Sequence, residues 1–388
     1  MTATTPEPIS TPTKSAPSTA SQLARGEVAD LPMYNAGLSS DAVRQRYGVT
    51  RISRLASNEN PAGASPAVAR ALTDLVSGIG VYPDAASTEL REAIGGRLGV
   101  AADRIVVGNG SENLLELLCQ AFLSPGDHTV TLIPSFGLHE IYPRMMGATV
   151  TMVPVTDALE FDVDAWCKAL AVPTKMVLLS NPSNPVGCML DETQFRRIID
   201  AAPQDTLLVI DEAYFEYASL AQGFPDAMKI LHEQQRPWIV LRTFSKAWGL
   251  AGLRVGYGVA SDSVVVSLLD RVRTPFNVNI AAQRAALAAW SDVEHMQYSV
   301  SDTVRQREVM AGQLRAMGLR LAPSAANFLF IDLGRPNGPV IEVLLSHGVI
   351  VKPWKEAGYE HFIRVSIGSA GDNAHFIKAL TVALGAPA

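Results

Sequence analysis

Between residues 105 and 260 the apolar positions come as short unbroken runs rather than in strict alternation. Runs at 105–107, 128–133, 149–153, 175–179, 206–210, 238–241 and 255–258 read as strands, because a strand covered on both faces has no polar side to show. Between and ahead of them lie stretches with helical spacing, at 65–77, 88–98, 111–122, 136–146 and 191–200. The first places Val68, Leu72 and Leu75 on one face behind a Ser65-Pro66 start, and the third has Ser111 as its expected N-cap. Strands alternating with helices predict an α/β fold with a mostly parallel sheet. In such sheets ligands collect beyond the carboxyl ends of the strands, so the chemistry is sought just after each apolar run.

Past residue 278 the pattern changes. Stretches 281–289 (alanine-rich) and 303–317 read as helices, and 328–331 and 362–366 as strands, which suits a smaller α+β C-terminal domain. Upstream, 23–34 reads as a short arm and 54–61 as a polar loop closed by Pro61. The expected organisation is a disordered tail over 1–26, an arm over 27–65, a large domain over 66–277 and a small domain over 278–388.

Composition narrows the function. With 48% hydrophobic and 18% charged residues, a net charge of −6 and no basic run, the chain is globular and carries no nucleic-acid signature. Residues 1–21 are rich in Thr, Pro, Ser and Ala but lack the apolar region of a secretory signal. No apolar stretch has the roughly 20 residues needed to span a bilayer. Cys119, Cys167 and Cys188 lack metal-ligand spacing and read as reduced thiols, so a cytoplasmic protein without a metal is expected.

The strand ends carry the candidate chemistry. Lys246 follows the run 238–241 among small and apolar neighbours, a setting that disfavours its charged form and frees the amine for nucleophilic work. Ser245 and Arg254 flank it as a hydroxyl donor and a cation, which suits a phosphate ester beside the amine and hence a Schiff-base lysine for pyridoxal phosphate (PLP). Asp211 ends a fully apolar run, where a carboxylate is costly unless paired. A pyridinium nitrogen about 3 Å away would attract it by on the order of 5 kcal/mol at an effective dielectric near 20, before desolvation is subtracted. Tyr214 lies three residues on, within reach of the ring's phenolic oxygen. Asn184 belongs to Asn181-Pro182-Ser183-Asn184-Pro185, whose prolines stiffen a loop that aims an amide above the sheet. Gly108-Asn109-Gly110-Ser111 puts glycines at a helix N-terminus, a setting for an anion, and Phe136 offers a ring that either packs in the core or covers a planar cofactor.

Taken together, Asn58-Glu59-Asn60-Pro61, Tyr82-Pro83, Gly108–Ser111, 181–187, Asp211–Tyr214, Ser245-Lys246, 252–254 and 364–368 resemble, in order and spacing, the fold-type I PLP-dependent transferases, and within them the histidinol-phosphate aminotransferase branch. The resemblance runs from about residue 31 to the C-terminus. It implies that Lys246 holds PLP and shuttles the α-carbon proton, that Asp211 pairs with the ring nitrogen, and that Asn184 and Tyr214 bind the ring oxygen. It further implies phosphate contacts from the backbone of Ser111 and Glu112, from Ser245 and Arg254, and from Tyr82 reaching into a neighbouring subunit's site, hence a homodimer. Phe136 would stack on the ring. Arg364, Tyr34, Asn58 and Lys352 would bind the substrate. Phe136 stands where that branch often has tyrosine, and Lys352 where arginine is frequent, which exchanges a forked contact for a point charge. Substrates compatible with these motifs are a small-molecule amino donor and keto acceptor of histidine biosynthesis, an aromatic amino acid, or threonine phosphate in a decarboxylating relative.

Overall fold

A computed structural model describes residues 19–29, 31–32 and 37–385. The strands in chain order are β1 (Ser53–Arg54), β2 (Ile105–Gly108), β3 (His128–Ile133), β4 (Thr149–Pro154), β5 (Met176–Ser180), β6 (Leu207–Asp211), β7 (Trp238–Thr243), β8 (Gly256–Ala260), β9 (Arg320–Leu321), β10 (Phe328–Asp332), β11 (Val349–Ile350), β12 (Lys352–Pro353) and β13 (Phe362–Ser366). Seven of them form one sheet in the order β2-β8-β7-β6-β5-β3-β4, parallel except that β8 runs against both neighbours. Strands β5, β6 and β7 are buried at every position, as their unbroken apolar runs demand. Separate apolar cores cover the two faces of this sheet.

A second sheet, β12-β13-β10-β9, is antiparallel throughout. It packs with helices Asn337–Ser346 and Ala370–Ala383 around its own core of Phe376, Leu380, Ile331 and Val365. Strands β1 and β11 pair in parallel and tie the chain ahead of the large sheet to this second unit.

Several boundaries differ from expectation, each for a local reason. Helix Ile280–Ser291 lies in the expected small domain, yet Ala282, Ala286 and Trp290 pack into the core of the large sheet. The expected helix over 303–317 is the end of a longer one, Val293–Ala316, capped by the Asp292 side chain on the His295 N–H. The polar residues Gln297, Ser299 and Ser301 hide its first turns from a periodicity argument. Thr19–Leu23 is an exposed helix inside the expected tail, beginning where the proline-rich stretch ends.

Ser111 is the first residue of helix Ser111–Phe122 and not its cap; Gly110 holds that place at φ 88°, a conformation that strains any other residue. No side chain caps this end, so its first N–H groups stay available. Gly256 on β8 passes directly beneath: a Cβ there would lie 2.3 Å from the Ser111 nitrogen. Gly256→Ala is therefore expected to push the helix end off the sheet and to destabilise the protein by about 1–3 kcal/mol. Denaturant unfolding of parent and variant, with an unchanged midpoint as the contrary result, checks this.

Candidate active site

Beyond the carboxyl ends of the central strands a cavity of about 630 Å³ opens between the two sheets. Ser111, Glu112, Phe136, Asn184, Asp211, Tyr214, Ser245, Lys246 and Arg254 reach it from the large sheet. Asn58, Lys352 and Arg364 reach it from the opposite side. Tyr82 does not line it: the ring is largely exposed and stacks on Phe276 with centroids 4.4 Å apart. Tyr34 lies outside the described residues.

Lys246 stands in the turn after β7, half-buried and reachable through the cavity. Its Nζ donates to the Ser57 carbonyl at 2.9 Å. The protein packed around the amine strips its hydration, and Arg364 and Arg254 repel a second charge, while Glu59 and Asp211 oppose the effect. The result is a pKa lowered from 10.5 to about 7.

Asp211 ends β6, buried, with Oδ1 accepting the Ala213 N–H at 3.0 Å. Its Oδ2 lies 3.1 Å from Nε2 of the buried His139. A carboxylate only accepts, so that nitrogen carries the hydrogen and Nδ1 is left facing Ser135 Oγ at 3.4 Å. Among the described residues no lysine or arginine pairs with Asp211. A buried carboxylate facing a cavity with only a histidine behind it fits a cationic ring N–H in front of it. His139 was not anticipated; its meaning rests on Asp211, 72 residues away in sequence.

Arg364 is buried in mid-strand and donates to Asn184 Oδ1 at 2.5 Å and to the Ala56 carbonyl at 2.7 Å. The first bond joins the small antiparallel sheet to the loop after β5. Asn58 adopts φ 56°, an uncommon conformation for a side chain-bearing residue. Its backbone N–H donates to Ser366 Oγ and its Nδ2 donates to the Tyr214 hydroxyl at 2.9 Å. Arg254, also left-handed at φ 56°, donates to Ser245 Oγ at 3.5 Å and to Glu112 Oε2 at 3.4 Å. Glu112 thus acts through its carboxylate on Arg254 as well as offering a backbone N–H. A Cβ on Gly110 would lie 2.7 Å from the Arg254 guanidinium, so glycine keeps the cradle open for a phosphate. The residues present fit PLP at both its ends.

Lys352 is half-buried, and desolvation with Arg364 and Lys355 nearby lowers its pKa. Phe136 forms a side wall, edge-on to His139 at 5.7 Å between centroids. Among the described residues no group of three or more potential ligands is placed to hold a metal, and no helix is long and apolar enough to cross a membrane.

This fold and this lysine-centred site define a fold-type I PLP-dependent transferase. The family described as Aminotransferase class I and II matches residues 50–380, and the chain belongs to it. It is 48% identical over 364 residues to histidinol-phosphate aminotransferase 1 of Mesorhizobium japonicum, covering 94% of this chain and 99% of that protein. It is 46% identical to histidinol-phosphate aminotransferase 3 of Rhizobium meliloti, covering 92% and 96%. The crystal structure of histidinol-phosphate aminotransferase from Sinorhizobium meliloti in complex with pyridoxal-5'-phosphate superposes with a TM-score of 0.85 at 26% identity, covering 94% of this chain and 98% of that one.

The low pKa of Lys246 has a consequence for stability in the PLP-free protein. Between pH 7 and 10.5 the unfolded chain binds a proton on this amine that the folded protein does not. Folding stability therefore rises with pH across that window and is reduced by the full linkage below it. Lys246→Met removes the dependence. The stability difference in favour of the methionine variant is expected to be largest near pH 6 and to shrink toward pH 10, read from denaturant unfolding at each pH.

Proposed function

We propose that this protein is a PLP-dependent aminotransferase that moves the amino group of histidinol phosphate to 2-oxoglutarate, giving imidazole-acetol phosphate and glutamate. The observation that carries the reaction class is the Lys246 amine, held near neutrality in a cavity between Asp211 and Arg364. The substrate reading rests on relatives of that name at 48% and 46% identity.

When bound, PLP supplies a protonated ring that withdraws electrons from the substrate's α-carbon. Asp211, supported by the His139 N–H, holds the proton on the ring nitrogen. Asn184 and Tyr214 donate toward the ring oxygen. The Ser111 and Glu112 backbone N–H groups, Ser245 and Arg254 hold the phosphate. Phe136 covers the ring and keeps water from its face. Lys246 Nζ, free of its extra proton in a large fraction of molecules near pH 7, would take the proton from the substrate's α-carbon and hold it for return. Arg364 and Lys352, with Asn58 and Tyr34, bind the anionic end of the substrate.

The site is completed by a second copy of the chain. Val76, Ile79, Val81 and Tyr82 are all largely exposed in one stretch, an apolar surface that association would cover. Tyr82 leaves its own cavity and is free to serve the partner's phosphate cradle. The proposed division is an arm over 27–65, a large domain over 66–277 and a small domain over 278–388, in which the helix Ile280–Ser291 also packs against the core of the large sheet.

Turnover with histidinol phosphate, phenylalanine or threonine phosphate, each with 2-oxoglutarate, tests the substrate. Glutamate formed from histidinol phosphate is the expected outcome; glutamate from phenylalanine alone, or carbon dioxide from threonine phosphate, contradicts it. Lys246→Ala is expected to lower transamination at least about a thousandfold while the folded protein still takes up PLP non-covalently. Arg364→Ala is expected to raise KM for anionic substrates roughly tenfold to a hundredfold with PLP content preserved. Sedimentation of Ile79→Glu is expected to give monomers with little activity; a fully active monomer contradicts the shared site.

A further inference from the structure

Arg364 and Ser366 stand two apart on β13, so their side chains leave the same face of that strand. Arg364 lines the cavity, whereas Ser366 is buried behind Asn58, which does line it. The serine hydroxyl is used twice on that one residue. Its Oγ accepts the Asn58 backbone N–H at 2.7 Å and donates to Asn58 Oδ1 at 2.9 Å. The Asn58 carbonyl is held as well, by Nδ2 of the buried Asn327 at 3.0 Å. With its backbone clamped at φ 56° and Oδ1 engaged, Asn58 turns Nδ2 to the Tyr214 hydroxyl, 2.9 Å away. An amide N–H only donates, so the tyrosine oxygen accepts this bond and its own hydrogen points elsewhere. The Tyr214 ring is buried edge-on to Phe328 at 5.1 Å between centroids, and Phe328 is the residue paired with Ser366 across β10 and β13.

A serine that only braced the strand end would need one bond to a backbone group. The second bond, to a side-chain amide, fixes which end of that amide meets the tyrosine. That choice matters because Tyr214 lines the cavity, where the ring oxygen of PLP is proposed to take its hydrogen. Were Oδ1 to face Tyr214 instead, the hydroxyl would donate to it and be lost to the ring oxygen.

We propose that Ser366 is a positioning residue which, through Asn58, orients the Tyr214 hydroxyl as a donor toward the ring oxygen of bound PLP. This rests on the aminotransferase reading above and adds a residue that touches neither cofactor nor substrate. A donor on that oxygen drains negative charge that would otherwise hold a proton on the nitrogen joining PLP to Lys246. Losing the donor therefore makes that proton harder to remove.

Visible absorbance of the PLP-loaded protein is followed against pH in the parent, Ser366→Ala, Tyr214→Phe and the double variant. The midpoint is expected to rise by at least about 0.5 in Ser366→Ala and further in Tyr214→Phe. In the double variant it is expected to equal that of Tyr214→Phe, because the serine acts only through the tyrosine. Ser366→Cys keeps the shape but offers a weak donor and acceptor, so it is expected to move the midpoint the same way. It decides the question if the alanine variant does not fold. The charged groups lining the cavity with Tyr214, among them Lys246 with Nζ 6.0 Å from its ring centre, Asp211, Arg254 and Arg364, are unchanged in every variant. An unchanged midpoint in the serine variants overturns the proposal, as does an equal shift with and without the Tyr214 hydroxyl, which marks a bracing role. A parent with no absorbance band that Lys246→Ala abolishes overturns the PLP reading itself.

Discussion

The constraint on which this site depends is the desolvation of one amine. Lys246 stands at the end of a buried strand, and the protein around it lowers its pKa from 10.5 to about 7. An amine fully exposed to water would remain protonated at neutral pH and could neither attack a carbonyl carbon nor accept a proton. The neighbouring cations Arg364 and Arg254 add to the shift, so the groups proposed to bind anions also tune the amine. One arrangement therefore serves two purposes, and it needs both sheets. Arg254 follows the lysine in the large sheet, whereas Arg364 comes from the small one.

The two sheets share an apolar core, in which Phe328, Phe330 and Phe362 of the small sheet pack with residues of the large one, and polar contacts across the cavity add to it. Arg364 donates to Asn184 and to the Ala56 carbonyl, and Asn58 joins Ser366 to Tyr214. These residues are buried, so each bond is made in surroundings that strengthen it and make its loss costly. Left-handed Asn58 and Arg254 show where the backbone accepts strain to aim these side chains. These hydrogen bonds thus tie the two sides of the cavity together.

Much of this was legible in the chain. Fully apolar runs ending in Asp211 and shortly before Lys246 announced buried parallel strands with chemistry at their tips, and strands β5, β6 and β7 put it there. Asn184, Ser245 and Arg254 could be read because proline, serine and arginine mark local geometry. His139 could not, since its meaning comes from a partner distant in sequence, Asp211. The packing partners of helix Ile280–Ser291 were hidden for a similar reason. Its alanines say that something packs closely against it, but not which core does so.

The most direct measurement is the titration of Lys246 itself. In PLP-stripped protein labelled with nitrogen-15 at lysine side chains, the Lys246 Nζ resonance, assigned by its loss in Lys246→Met, is followed from pH 5 to 11. A midpoint near 7 is the result this account predicts. A midpoint near the ordinary 10.5 would mean that the cavity leaves the amine hydrated, and the site would then lack the base on which the proposed chemistry rests.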